Sequence, residues 1–135
     1  MDLGLKGQVV MVCGASSGLG LAVAEEFARE GARIAICARS AGELERQAAR
    51  LSSAHSVEVV PVAADLSNPE GVNAAFTGVL NGFGGIDVLV TNAGGPPAVR
   101  FEQTRDTEWE AAFQLTLMHV VRLSRLAAPV MRHRG

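Results

Sequence analysis

The feature that most constrains this chain is the run over residues 8–30. Gln8-Val9-Val10-Met11-Val12-Cys13 reads as a short apolar strand, and Gly14-Ala15-Ser16-Ser17-Gly18-Leu19-Gly20 as a glycine-rich bend that opens an amphipathic helix over residues 18–30. Glycines between a strand and a helix let the main chain come close to a pyrophosphate. The helix N-terminus then presents unpaired N–H groups and a partial positive charge to it. This order points to a dinucleotide cradle.

Strand-like and helix-like segments alternate along the rest of the chain, which predicts a parallel sheet built from crossover units. In the first helix Leu19, Val23 and Phe27 recur at i, i+4 and i+8 as the expected buried stripe, with Gly31 as the stop. Ile34-Ala35-Ile36-Cys37-Ala38 is the second strand. Ser40-Ala41-Gly42-Glu43 has the form of a capping box, opening a helix that turns Leu44, Ala48 and Leu51 inward and ends near Ser53. The third strand spans residues 57–62, and its Pro61 has no N–H to give a ladder, so it belongs at an edge of a sheet ordered 3-2-1-4. Asn68-Pro69 starts a third helix with Val72, Phe76, Val79 and Leu80 on one side, broken by Gly82, Gly84 and Gly85.

The fourth strand spans residues 86–91. The turn Asn92-Ala93-Gly94-Gly95-Pro96-Pro97 follows at its carboxyl end, where open α/β sheets gather ligands. Thr107-Glu108-Trp109-Glu110 reads as a second capping box, starting one long helix that carries Phe113, Leu117, Val120, Val121, Leu123, Leu126, Val130 and Met131. That apolar arc is wider than one sheet face covers. The expected fold is an α/β, Rossmann-type doubly wound parallel sheet, truncated after the fourth strand and its long following helix, with residues 1–135 as a single domain.

Composition narrows the function classes. Apolar residues make up 48% and charged residues 19%, below the usual quarter, so some apolar surface expects a partner. A net charge of −2 gives no basic excess, and the arginines over residues 122–134 suit a helix C-terminus, which excludes nucleic acid as a partner. Cys13 and Cys37 fall inside predicted strands as core residues. No apolar run approaches the roughly 18 residues a membrane span needs, and the N-terminus has no charged-then-apolar leader, so a cytoplasmic protein without a membrane partner is expected. His55, His119 and His133 lack metal-ligand spacing and read as surface or helix-end residues, so no metal is expected. Asp87 reads as structural and Trp109 as a packing anchor.

The glycine pattern Cys13-Gly14-Ala15-Ser16-Ser17-Gly18-Leu19-Gly20 and the turn Thr91-Asn92-Ala93-Gly94 resemble the TGxxxGxG and NNAG signatures of the short-chain dehydrogenase/reductases. The similarity runs over nearly the whole chain and looks closest to the 3-oxoacyl-acyl-carrier-protein reductases, although it covers only the family's N-terminal half. It implies that Gly14, Ser16, Ser17, Gly18, Leu19 and Gly20 wrap the pyrophosphate and adenosine ribose. Asp65 and Leu66 would take the adenine, and Asn92, Ala93 and Gly94 the nicotinamide ribose side. It also implies a small carbonyl or alcohol as substrate, and self-association through the helix starting near Trp109.

Arg39 follows strand two, where the family's NAD-preferring members carry an acid one position earlier; here that position is Ala38. Losing the carboxylate and gaining a guanidinium favours a 2′-phosphate, by a charge-assisted hydrogen bond of roughly 1.5–3 kcal/mol. The expected coenzyme is therefore NADP(H), with Arg39 and the adjoining Ser40 in its binding set. Two positions depart from the family pattern. Cys13 replaces the motif threonine and loses a good hydroxyl donor, and Thr116 stands where the Trp109 helix of the family presents its catalytic asparagine. The family's serine and YxxxK pair are not in this chain, which has no tyrosine at all. The expected function is thus the NADP-binding portion of an oxidoreductase, inactive by itself, or alternatively a non-catalytic dinucleotide-binding module or remnant that needs a partner chain.

Overall fold

A computed structural model describes residues 1–135. Four strands, β1 (Val9–Cys13), β2 (Arg33–Ala38), β3 (Val59–Ala63) and β4 (Val88–Val90), form one parallel sheet in the order β3-β2-β1-β4. Between them run α1 (Gly18–Arg29), α2 (Ala41–His55) and α3 (Pro69–Phe83), and after β4 come α4 (Asp106–Phe113) and α5 (His119–Arg134). This is the expected doubly wound α/β architecture, with proline-bearing β3 at an edge.

The central strand explains its own sequence. Every residue of β1 is fully buried. Val10 and Val12 pack with Ile34, Ile36 and the inner faces of α1 and α2. Val9, Met11 and Cys13 face the other way, toward Val72, Phe76 and Val79 of α3 and Leu123 and Ala127 of α5. A strand covered on both faces needs apolar side chains at every position, so it reads as a continuous run and not as an alternation.

Several local expectations are corrected. The face α1 buries is Gly20, Ala24 and Ala28, because small side chains let the helix lie close on the sheet. Val23 and Phe27 are only half-buried and Leu19 is exposed. The helix does stop at Gly31, whose φ of +80° allows the Gly31 N–H to reach the Ala28 carbonyl and the Ala32 N–H to reach that of Phe27. The capping box at Ser40 does not form: the Ser40 side chain makes no cap bond, and Glu43 accepts from Gln47 and Arg46 instead. Helix α2 runs on to His55, α3 runs through Gly82 to Phe83 and closes on Gly84 at φ +76°, and β4 has three residues where six were expected.

The last helix also differs. It starts at Asp106, where the Arg105 N–H donates to Glu108 Oε2 at 2.8 Å, so the reciprocal bond forms two residues earlier than Thr107 would place it. It is also not uniform, since residues Gln114–Met118 form a π segment between α4 and α5. Only part of its wide apolar arc is covered: Leu123 and Ala127 are buried against the sheet and α3, while Phe113 and Leu117 are about half exposed. Trp109 is no core anchor. It is 58% exposed, stands edge-on to Phe101 at 6.4 Å, and donates through Nε1 to Thr104 Oγ1 at 2.9 Å.

Candidate coenzyme site

The glycine bend is shaped by conformations and approaches that side chains do not permit. Gly14 and Gly18 take φ of +60° and +56°, in the left-handed region that favours glycine. A Cβ on Gly20 would lie 2.1 Å from the Gly14 carbonyl oxygen, so the first turn of α1 rests directly on the start of the loop. Ser17, at the head of α1, is extended and makes no side-chain cap, and the first turn holds no acidic residue. The opening amides of α1 are therefore left for an acceptor outside the helix, at its positive end. Ser16 and Ser17 sit in the bend itself, with Ser17 exposed, and Leu19 projects from the first turn with 74% of its surface exposed.

Asn92 joins this bend to the turn after β4. Its Nδ2 lies 3.3 Å from the Cys13 carbonyl and 3.4 Å from that of Gly14, donating to both. The side-chain hydroxyl lost at position 13 is not needed for the joint, because the Asn92 amide bonds main-chain oxygens. Cys13 and Cys37 are register partners on adjacent strands, both free and fully buried. Burial pushes both thiols up to about 12, so neither supplies a thiolate near neutrality. Ala93 is half-buried beside Asn92, and Gly94 is exposed with open space around it.

Arg39 and Asp65 stand at the carboxyl ends of β2 and β3. Arg39 is exposed and enters no ion pair. Ser40 accepts the first helical bond of α2 through its carbonyl and leaves its hydroxyl unused by the cap. Asp65 Oδ1 accepts the Ser67 N–H at 2.9 Å. That bond, the Ser67 hydroxyl and the nearby Arg39 charge hold its carboxyl below the usual range. Leu66 turns its side chain into the core against α3, leaving only its main chain for a ligand.

Thr116 is not joined to this cluster by any bond. It is exposed in the π segment, and its hydroxyl donates to the Ala112 carbonyl at 2.6 Å. His119, expected at the surface or a helix end, is 2% exposed. Its Nδ1 lies 2.6 Å from the Leu115 carbonyl, and its Nε2 is buried with no partner. The signal was the helical period: His119 lies four and eight positions before Leu123 and Ala127, the buried face of α5.

Burial lowers the His119 pKa, the Leu115 contact opposing the shift. The unfolded chain therefore takes up a proton first, and the contribution to stability is present above about pH 6.5 and lost as pH falls from there through the lower native value. Urea unfolding at pH 7.5 and 5.5 is expected to show a smaller pH-dependent loss in His119→Leu than in the unmodified chain. Equal losses would remove His119 as the cause.

These features fix the class first: a Rossmann-type α/β protein with its ligand-facing loops at the carboxyl ends of parallel strands. The family model for short chain dehydrogenases matches residues 8–135, and the chain belongs to that family. It is 37% identical over 131 residues to the uncharacterized oxidoreductase YvrD of Bacillus subtilis (strain 168), covering 97% of this chain and 49% of that protein. It is 35% identical over 128 residues to 11-beta-hydroxysteroid dehydrogenase A of Sesamum indicum, covering 94% of this chain and 37% of that one. Among solved structures, L-sorbose reductase from Gluconobacter frateurii, complexed with NADPH and L-sorbose, superposes with a TM-score of 0.96 at 43% identity, over all of this chain and 51% of its own. An alcohol dehydrogenase from the archaeon Thermococcus sibiricus, complexed with 5-hydroxy-NADP, gives 0.89 at 33% identity, over 95% and 55%. The chain thus spans about half the length of most of these relatives, and none of its helices is long and apolar enough to cross a membrane.

Proposed function

We propose that residues 1–135 are the coenzyme-binding portion of a cytoplasmic NADP(H)-dependent oxidoreductase acting on a small carbonyl or alcohol. The observation that carries this is the bend at Gly14, Gly18 and Gly20, where the missing Cβ at Gly20 lets the first turn of α1 rest on the loop, in front of a helix whose opening amides are uncapped. The residues present suit the coenzyme. Gly14, Ser16, Ser17, Gly18, Leu19 and Gly20 would hold the pyrophosphate and adenosine ribose. Arg39 and Ser40 would hold the 2′-phosphate, Asp65 and the Leu66 main chain the adenine, and Asn92, Ala93 and Gly94 the nicotinamide ribose.

When bound, NADP(H) supplies or accepts the hydride. The chain's own contribution is to grip and orient, with Asn92 pinning the glycine bend so that both turns face one ligand. Thr116 stands at the position of the family's asparagine, and while its hydroxyl donates to the Ala112 carbonyl its lone pairs would accept from a water there. Without a tyrosine, the 135-residue chain binds coenzyme and does not turn it over. The exposed stripe of Trp109, Phe113 and Leu117 supports self-association through this helix, which sedimentation velocity reads directly.

Preference for NADP(H) rests on the unpaired Arg39 and on the coenzymes named for two solved relatives. Fluorescence titration is expected to give tight NADPH and weak NADH binding. Arg39→Asp is expected to weaken NADPH by roughly ten- to hundredfold, the loss of one charge-assisted hydrogen bond with repulsion added, and to leave NADH unchanged or tighter. A preference that survives the substitution would assign the 2′-phosphate to other residues.

A further inference from the structure

The groove between α3 and α5 has no role in the coenzyme site. It is an open groove of about 280 Å³ lined by Pro69, Val72, Asn73, Arg122, Arg125 and Leu126, none of which belongs to the proposed coenzyme set. Two of these carry guanidinium groups and none carries a carboxylate. Arg122 is held in place, its Nη2 donating to Gln114 Oε1 at 2.7 Å, while its Nη1 is buried and has no hydrogen-bond partner. Arg125 is exposed and enters no ion pair.

A buried charged donor without an acceptor is costly, and a guanidinium fork matches the geometry of an oxyanion. Gln114 is neutral and relays to the Glu110 carboxylate through its own amide at 2.9 Å, so no carboxylate pairs directly with Arg122. Two positive charges, with the Asn73 amide beside them, suit a dianion better than a monoanion, because each guanidinium then meets a full negative charge. We propose that this groove binds a small oxyanion of the phosphate class, inorganic phosphate or a phosphate monoester, at a site separate from the coenzyme cradle.

Amide NMR of the whole chain during titration with inorganic phosphate tests this, since it locates the binding. Resonances of Val72, Asn73, Arg125 and Leu126 are expected to shift saturably. Arg125→Gln, at an exposed position that leaves the fold unchanged, is expected to weaken those shifts roughly tenfold, one charge-assisted contact. Arg39→Gln is expected to leave them untouched, which separates this groove from the coenzyme site. A parallel titration with methyl phosphate distinguishes the two sources: tighter binding of the ester assigns the groove to a phosphate monoester, and tighter binding of inorganic phosphate to the free ion. Absence of shifts at these residues, shifts indifferent to Arg125→Gln, or acetate binding as tightly as phosphate would each overturn the proposal.

Discussion

Gly20→Ala is expected to abolish coenzyme binding by this chain. The new methyl group would stand 2.1 Å from the Gly14 carbonyl oxygen and 2.7 Å from its carbon, with Asn92 Nδ2 at 3.0 Å. The two nearest atoms are main chain, so no rotamer change relieves the contact; α1 must back away from the bend. That displacement removes the helix N-terminus from the phosphate position and disturbs the Asn92 bridge to Cys13 and Gly14. A hundredfold or greater loss of NADPH affinity, about 2.7 kcal/mol, is the expected reading, with a further stability loss of about 1–3 kcal/mol from overpacking. Gly42→Ala is the control. It lies in α2 with open space where its Cβ would go, so it leaves binding intact and stabilises the helix by about 0.5–1 kcal/mol. A Gly20→Ala protein that folds and binds NADPH like the parent would show that the bend and helix are not in the contact described.

The second large effect is at Asp87, far from the ligand-facing loops. Its Oδ2 accepts the Val9 N–H at 2.7 Å while its own N–H donates to the Val9 carbonyl at 2.8 Å, so one residue clamps both polar groups at the start of the central strand. Arg134, at the C-terminal end of α5, closes on the same carboxylate through Nε at 2.5 Å and Nη2 at 3.0 Å. The clamp ties the beginning of β1 to β4 and the last turn of the final helix. Asp87→Ala leaves the buried Val9 N–H without an acceptor and is expected to cost about 2–4 kcal/mol. Asp87→Asn keeps a carbonyl oxygen for Val9 and costs about 1 kcal/mol. Arg134→Ala, at a more exposed end of the pair, costs less than about 1 kcal/mol. Urea denaturation ranks the three, and an Asp87→Ala loss no larger than that of Arg134→Ala would mean the Val9 bond does not matter. The Arg134 bond, with help from the Val9 N–H, lowers the Asp87 pKa. This contribution is therefore present above the ordinary carboxylate pKa and lost as pH falls below it through the lower native value, a window more acid than that of His119.

The order of elements and the location of the ligand-facing loops were legible in the chain because they depend on local chemistry. Glycine between an apolar strand and a helix, a proline that bars Val59–Ala63 from the sheet interior, and Asn68-Pro69 at a helix start each act through their own backbone. Asn68 does cap α3, accepting the Gly71 N–H at 2.8 Å. Arg39 was likewise readable, since a residue directly after β2 must lie at the carboxyl end of the sheet.

What the chain could not disclose depends on distances between residues far apart in sequence. The i, i+4, i+8 pattern chose Leu19, Val23 and Phe27 as the inner face of α1, yet the sheet accepts only Gly20, Ala24 and Ala28, because close helix-on-sheet contact selects for small volume and not for hydrophobicity. Trp109 is a strong apolar signal that nonetheless stays exposed, set against Phe101 and Thr104. His119 is polar by type yet shares the buried face of α5 with Leu123 and Ala127, and Asn92 reaches across 78 and 79 positions to bond the Gly14 and Cys13 carbonyls. By itself the sequence determined which backbone segments form strands, helices and the glycine bend, since those preferences are local. Tertiary structure alone decided which face of each helix is buried and which polar groups meet, because those outcomes belong to packing between segments and not to any one of them.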